Sequence, residues 1–227
     1  MPMPQQSINL NTLLSWFSMP DNKMKAKVRE AARSYINKQQ GLNSGGGDFH
    51  MPFWRDAKHH LAGTADLREA TQLRISENKR RERLYNLLTD NFLRWWGEKR
   101  RWTNEGVSVA YVPVKGTYEI PEYNAIVKVH NSLTIQIGGQ PLKSFYPYFT
   151  EDPALSDDIA KIGLWVMTQA IPEVPDEQLR ILDVLRFKSY SQKKHPLVGN
   201  EEERFLGLYT QVNRYWEGFC TEFDEAA

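Results

Sequence analysis

Apolar residues recur at three- and four-residue spacing through much of the first hundred positions, and at two-residue spacing in the middle of the chain. Leu10, Leu13, Leu14 and Phe17 share one helical face within Ser7–Phe17, which predicts a short helix. Pro20-Asp21 then opens a helix to about Gln39, its inner side marked by Met24, Val28, Ala31, Ala32, Tyr35 and Ile36. Gly41–Gly47 is a glycine-rich connector, and Pro52–Leu61 reads as another short helix. From Thr64, expected as a cap, to about Arg101 runs the longest helical territory. Its stripe of Leu84, Leu88, Phe92, Trp95 and Trp96 projects backwards onto Glu77, Arg80 and Arg81. An apolar seam broken by charge predicts either one bent helix or two helices meeting near Ser76–Lys79.

The spacing changes at Val107–Val114, which is strand-like. Asn124–His130 and Leu133–Ile137 alternate in the same way, and Gly138-Gly139 joins the latter to Leu142–Tyr148, a hairpin signal. Links this short leave no room for crossover helices, so these neighbouring strands are expected to run antiparallel. Ser156 caps a further amphipathic helix with Ile159, Ile162, Gly163, Val166, Met167 and Ala170 inward, stopped by Pro172 and Pro175. Arg180–Tyr190 reads as one more strand, and about Glu201–Phe223 as a last helix. The fold class predicted is α+β, a helical N-terminal half followed by an antiparallel β-meander packed by two C-terminal helices.

With 227 residues, 41% of them hydrophobic and seven of them Trp, the chain has the material for an ordered core in one domain or two small ones. Charge adds a division that hydropathy does not show. The first 103 residues carry 18 Lys and Arg against 10 Asp and Glu, while the other 124 carry 11 against 18. A chain of net charge +1 thus joins a basic helical region, 1–103, to an acidic region of sheet and helices, 104–227. Net charge this small excludes attraction of a polyanion by the whole molecule, yet a local patch still focuses a field. Cys220 is the single cysteine and has no partner for an internal disulfide. Met1–Asn11 lacks the pattern of a secretion signal, and no apolar run reaches the length of a membrane span. A cytoplasmic protein without a membrane partner is expected.

The densest basic stretch is Lys79–Trp102. It holds Lys79, Arg80, Arg81 and Arg83 at one end and Lys99, Arg100, Arg101 and Trp102 at the other. Long basic side chains reach phosphates, and an exposed aromatic ring stacks on bases. Lys193 and Lys194 extend such a surface if they fold back beside the N-terminal half. Trp95 and Trp96 belong to the apolar stripe and are assigned to the core. Asp56, His59 and His60, with His50 upstream, form the nearest thing to a metal constellation. They lack the His-Glu-x-x-His order and a second cluster to complete a ligand set. Gly45-Gly46-Gly47 lacks the Lys-Ser/Thr ending of a phosphate loop. No metal, cofactor or catalytic motif is predicted.

The function expected is that of a non-enzymatic component of a larger multi-protein assembly, binding nucleic acid or an acidic protein surface through its basic N-terminal helices. Two alternatives stand beside it. A metal-dependent nuclease would bring Asp183, which interrupts an apolar strand, together with Glu119 or Glu122 around a metal. A regulator or inhibitor would engage a basic protein through the acidic C-terminal half, which includes Glu201, Glu202, Glu203, Glu217, Glu222, Asp224 and Glu225.

Overall fold

The computed structural model describes residues 6–42, 49–100, 105–110 and 114–225. Its helices are α1 (Leu10–Phe17), α2 (Asp21–Gln39), α3 (Met51–Leu61), α4 (Leu67–Glu77), α5 (Glu82–Arg100), α6 (Asp157–Ala170) and α7 (Glu201–Glu225). The strands form two sheets. Three strands, β1 (Gln6–Asn9), β4 (Ala125–Val129) and β3 (Gly116–Ile120), lie in that order, β1 parallel and β3 antiparallel to β4. Five more, β2 (Val107–Val109), β5 (Leu133–Ile137), β6 (Lys143–Tyr148), β7 (Leu179–Asp183) and β8 (Lys188–Tyr190), make the larger sheet. The protein is α+β, with helices first, strands in the middle and helices last. Among the described residues no helix is long and apolar enough to cross a membrane.

The hairpin expected at Gly138-Gly139 forms, with β5 antiparallel to β6, and β3, which the alternation did not mark, pairs antiparallel with β4. The meander is nonetheless divided between two sheets, and β6 pairs with β7 in parallel across a crossover that contains α6. Burial explains the parallel pair. Every residue from Ser144 to Tyr148 is buried, so β6 needs cover on both faces, and a crossover helix supplies one of them. On one face Phe145, Leu133 and Leu182 meet Phe53, Trp54, Leu88, Phe92 and Trp95 from α3 and α5. On the other, Tyr146, Tyr148, Ile181 and Tyr190 meet α1 and α6, with Val127 and Val129 of the smaller sheet and Phe205 and Tyr209 of α7 in the same core. Each core therefore draws on both the basic and the acidic regions of the chain.

Local signals account for the element ends. Ser156 caps α6, its Oγ accepting from the Ile159 N–H at 3.2 Å. The long helical territory is two helices. Asn78 is extended (φ −152°, ψ 101°), and its side chain accepts from Arg80 N at 3.1 Å to open a 3-10 turn, Lys79–Arg81. The cap of α4 is Asp66, not Thr64. The Asp66 carboxylate accepts from the N–H groups of Arg68 and Glu69, while the Thr64 hydroxyl turns back to the His59 carbonyl. Arg180–Tyr190 is a hairpin in place of one strand. A 3-10 turn, Val184–Arg186, and Phe187 at φ 42° reverse the chain, which sets Asp183 opposite Lys188 in register. Val184 and Leu185 continue an alternating pattern in sequence but are buried beneath α5, where the Asn91 amide donates to the Leu185 carbonyl at 2.7 Å.

Close packing requires glycine at two places, against backbone at Gly116 and against side chains at Gly163. A Cβ on Gly116 would stand 1.8 Å from the carbonyl oxygen of Ala170, and one on Gly163 would stand 2.7 Å from Ile181 Cδ1. Gly116→Ala is expected to lower unfolding free energy by about 2–3 kcal/mol, because the obstruction is backbone and cannot rotate away. Gly207→Ala, on an open face of α7 with nothing within 4 Å, is expected to raise it by about 0.5–1 kcal/mol. Urea unfolding followed by tryptophan fluorescence measures both.

Candidate anion-binding cleft

α5 is held on the larger sheet and its β7–β8 turn by three contacts of two side chains, Trp95 and Arg94. The Trp95 ring meets Phe145 edge-on at 5.0 Å, its Nε1–H donates to Ser189 Oγ at 2.9 Å, and the Arg94 guanidinium lies 4.1 Å from the centre of the Phe187 ring. The two-residue period of β6 puts Lys143 on the same face as Phe145, and that of β7 puts Arg180 on the same face as Leu182. Phe145 and Arg180 are direct cross-strand neighbours. Beyond β8 the N–H groups of Lys194 and His195 both donate to the Ser191 carbonyl, at 3.0 and 2.8 Å, closing a turn that carries Lys193 and Lys194.

These local arrangements converge. Lys99, Lys143, Arg180, Lys193 and Lys194 line a pocket of about 190 Å³, together with Ser189 and Ser191, against Ile135, Ile137 and Phe145. It shares Lys99, Ser189 and Lys194 with a wider cleft of about 810 Å³, walled further by Glu98, Arg186, Phe187, Lys188 and His195. Among the described residues none of the five inner cations is in an ion pair. The outer ones differ. Arg186 pairs with Asp183 at 3.0 Å and Lys188 with Asp157 at 2.8 Å.

Electrostatic strain follows the same division. Burial, and then the charges of Lys194, Lys143 and Arg180, hold the Lys99 ammonium below its ordinary pKa, with Glu98 opposing. Burial likewise lowers Arg180, and Glu177 opposes it. Lys188 moves the other way, raised chiefly by its hydrogen bond to Asp157. An acceptor-poor pocket of unneutralised cations and hydroxyls is suited to an anion.

The basic residues singled out in the sequence are distributed unequally over this surface. Lys99, Lys193 and Lys194 come together, as the fold-back of the acidic half requires. Lys79 and Arg80 are exposed on the turn between α4 and α5 and make no ion pair among the described residues. Arg81 is turned inward. It donates to the Arg74 carbonyl at 3.3 Å, lies 3.4 Å from Glu77 and sits over the Tyr85 ring, so it ties the end of α4 to α5. Arg83 makes an exposed ion pair with Glu151 at 2.7 Å. The side chain of Arg100 lies outside the described residues, as do Arg101, Trp102 and the glycines Gly45–Gly47. Lys143 and Arg180 lie outside the basic runs of the sequence and are marked by no local signal. Each stands two positions before a buried apolar residue, but the register that joins them to Lys99 is a long-range property.

The other constellations are used within the fold. Asp56 receives two hydrogen bonds from Arg74, at 2.9 and 3.2 Å, and His50 stacks on Phe149. His60 Nδ1 accepts from the Leu67 N–H, and His59 contacts the Thr64 hydroxyl. Glu201 accepts from the N–H groups of Val198 and Gly199, and Glu222 pairs with Arg29 of α2. Lys23–Asp152 and Arg83–Glu151 also cross between the two charged regions. Part of the charge division is therefore matched inside the molecule.

Asp183 is fully buried, whereas Glu119 and Glu122 are exposed, Glu119 on the smaller sheet and Glu122 in the turn that follows it. Among the described residues no group of three His, Cys, Asp or Glu side chains could hold a metal ion. Burial pushes the Asp183 carboxyl above its ordinary pKa, and Arg186 pulls it back through both carboxylate oxygens. Arg186 also donates to the carbonyls of Thr150 and Glu151, fastening the β7–β8 turn to the segment after β6. Arg186→Met is expected to cost about 3–5 kcal/mol by leaving a buried carboxylate unpaired. Adding Asp183→Asn should recover more than half of that loss, measured by urea unfolding of the single and double variants. Comparison with protein-family models finds no match, and comparison with curated proteins finds none.

Proposed function

We propose that the protein binds the phosphate backbone of nucleic acid in this cleft, without catalysing a reaction on it. The observation that carries the reading is the convergence of five cations from α5, β6, β7 and the turn after β8, none of them in an ion pair among the described residues. Bringing like charges together is unfavourable in the free protein, and an entering polyanion removes that repulsion while releasing its own counterions. Concavity favours a flexible single strand. Such a strand can enter a cleft that a rigid duplex touches only at its rim. The hydroxyl of Ser189 and the partly exposed ring of Phe187 at the wall add a hydrogen-bond donor and an apolar contact.

Binding of a fluorescent single-stranded oligonucleotide tests the reading. Lys99→Glu with Lys194→Glu should weaken it at least tenfold at low salt, with the melting temperature preserved because neither ammonium is in an ion pair among the described residues. Lys79→Glu with Arg80→Glu, away from the cleft, should change affinity less than threefold. For wild-type protein, log affinity against log salt should fall with a slope of about −3 if four phosphates are neutralised. A flat salt response overturns the reading, as does retention of an acidic protein with no oligonucleotide bound.

A further inference from the structure

Charge is not uniform along the cleft. In the wide outer part Glu98 stands among the walls, and Arg186 and Lys188 already have Asp183 and Asp157 as partners. In the inner pocket Lys99, Lys143, Arg180, Lys193 and Lys194 face one another, and among the described residues no carboxylate lines the space. An internal phosphodiester brings one negative charge to such a site. A phosphate monoester brings about −1.5 to −2 at pH 7, with three acceptor oxygens. The inner pocket is the smaller of the two, about 190 Å³ against about 810 Å³, and the two communicate through Lys99, Ser189 and Lys194.

The hydrogen-bonding chemistry agrees. Ser189 Oγ accepts the Trp95 indole N–H at 2.9 Å, which leaves the hydroxyl proton for an acceptor elsewhere. Lysine and arginine side chains offer donors only. The apolar floor of Ile135, Ile137 and Phe145 keeps the local dielectric low, which strengthens attraction to an anion of high charge.

We infer that the inner pocket is a receptor for a phosphate monoester, and that the outer cleft carries the strand whose terminal phosphate it takes. This rests on the nucleic-acid reading and narrows it to a strand end. Displacement of the mutual repulsion among Lys99, Lys143, Lys194 and Arg180 by a dianion supplies the preference.

One oligonucleotide sequence made with a 5′-phosphate, a 3′-phosphate or hydroxyls at both ends tests this by fluorescence anisotropy, with a mononucleotide as competitor. One phosphorylated end should bind at least tenfold tighter than the hydroxyl-ended strand, and the two phosphorylated arms identify which end is read. The preference should shrink below about pH 6, where the monoester loses its second charge. Lys143→Gln, and separately Arg180→Gln, should bring the ratio of phosphate-ended to hydroxyl-ended affinity towards one, whatever each does to hydroxyl-ended binding. Melting curves show whether each variant is folded, and the lysine variant stands alone if the arginine variant is not. Equal affinity for all three strands overturns the inference and leaves the nucleic-acid reading standing. Binding of the mononucleotide with no oligonucleotide bound overturns the strand-end inference and the nucleic-acid reading together.

Discussion

Burial of β6 and β7 on both faces is the constraint from which the rest of this architecture follows. A strand enclosed on both sides has no water to satisfy its backbone, so it must pair with neighbours along both edges. β6 does so with β5 and β7, and β7 with β6 and β8. Two layers of helices are then needed. α3 and α5 close one face, and the crossover helix α6 closes the other, reaching the sheet because Gly163 presents no side chain to Ile181 or Leu14. The N-terminal helices do not form a separate body. α1 shares a core with α6, and α5 shares one with β6 and the β7–β8 turn.

The same two-residue alternation that fills the cores makes the cleft. Leu182 and Phe145 bury their side chains against α5, and Arg180 and Lys143, two positions earlier in their strands, extend that face past the apolar cover. An aromatic anchor, Trp95 against Phe145 and Ser189, sets where α5 sits and hence where Lys99 meets the sheet cations. Phe187, at φ 42° in a region costly for a residue with a Cβ, is held at the cleft wall beneath Arg94. The strongest charges at this place are thus positioned by apolar packing.

Charge polarity along the chain acquires a different meaning in three dimensions. The excess of basic residues before position 104 includes groups consumed internally, such as Arg74 on Asp56, Arg81 on the end of α4, and Arg29 on Glu222. The cluster, unpaired among the described residues, instead combines one lysine from the basic region with four cations from the acidic one. A net count over each region could not reveal this, because it does not register which charges have partners.

Local physics was legible in the residues themselves. The three- and four-residue periods located α1, α2, α6 and α7, the stretch Pro52–Leu61 was read as the helix α3, Ser156 announced its helix, and the charged break at Arg80–Arg81 marked the junction of α4 and α5 among the alternatives. These features depend on neighbours within a turn or two of the backbone. Alternation also predicted strands, but it could not distinguish a straight strand at 180–190 from a tight hairpin whose turn is itself buried. Nor could it pair Phe145 with Arg180, 35 positions apart, since that register is selected by which side chains fill two cores at once. The sequence alone determined the helices, the α+β class and the supply of cations. Tertiary structure decided which cations meet, because long-range strand pairing, not proximity along the chain, brings Lys143, Arg180, Lys193 and Lys194 to Lys99.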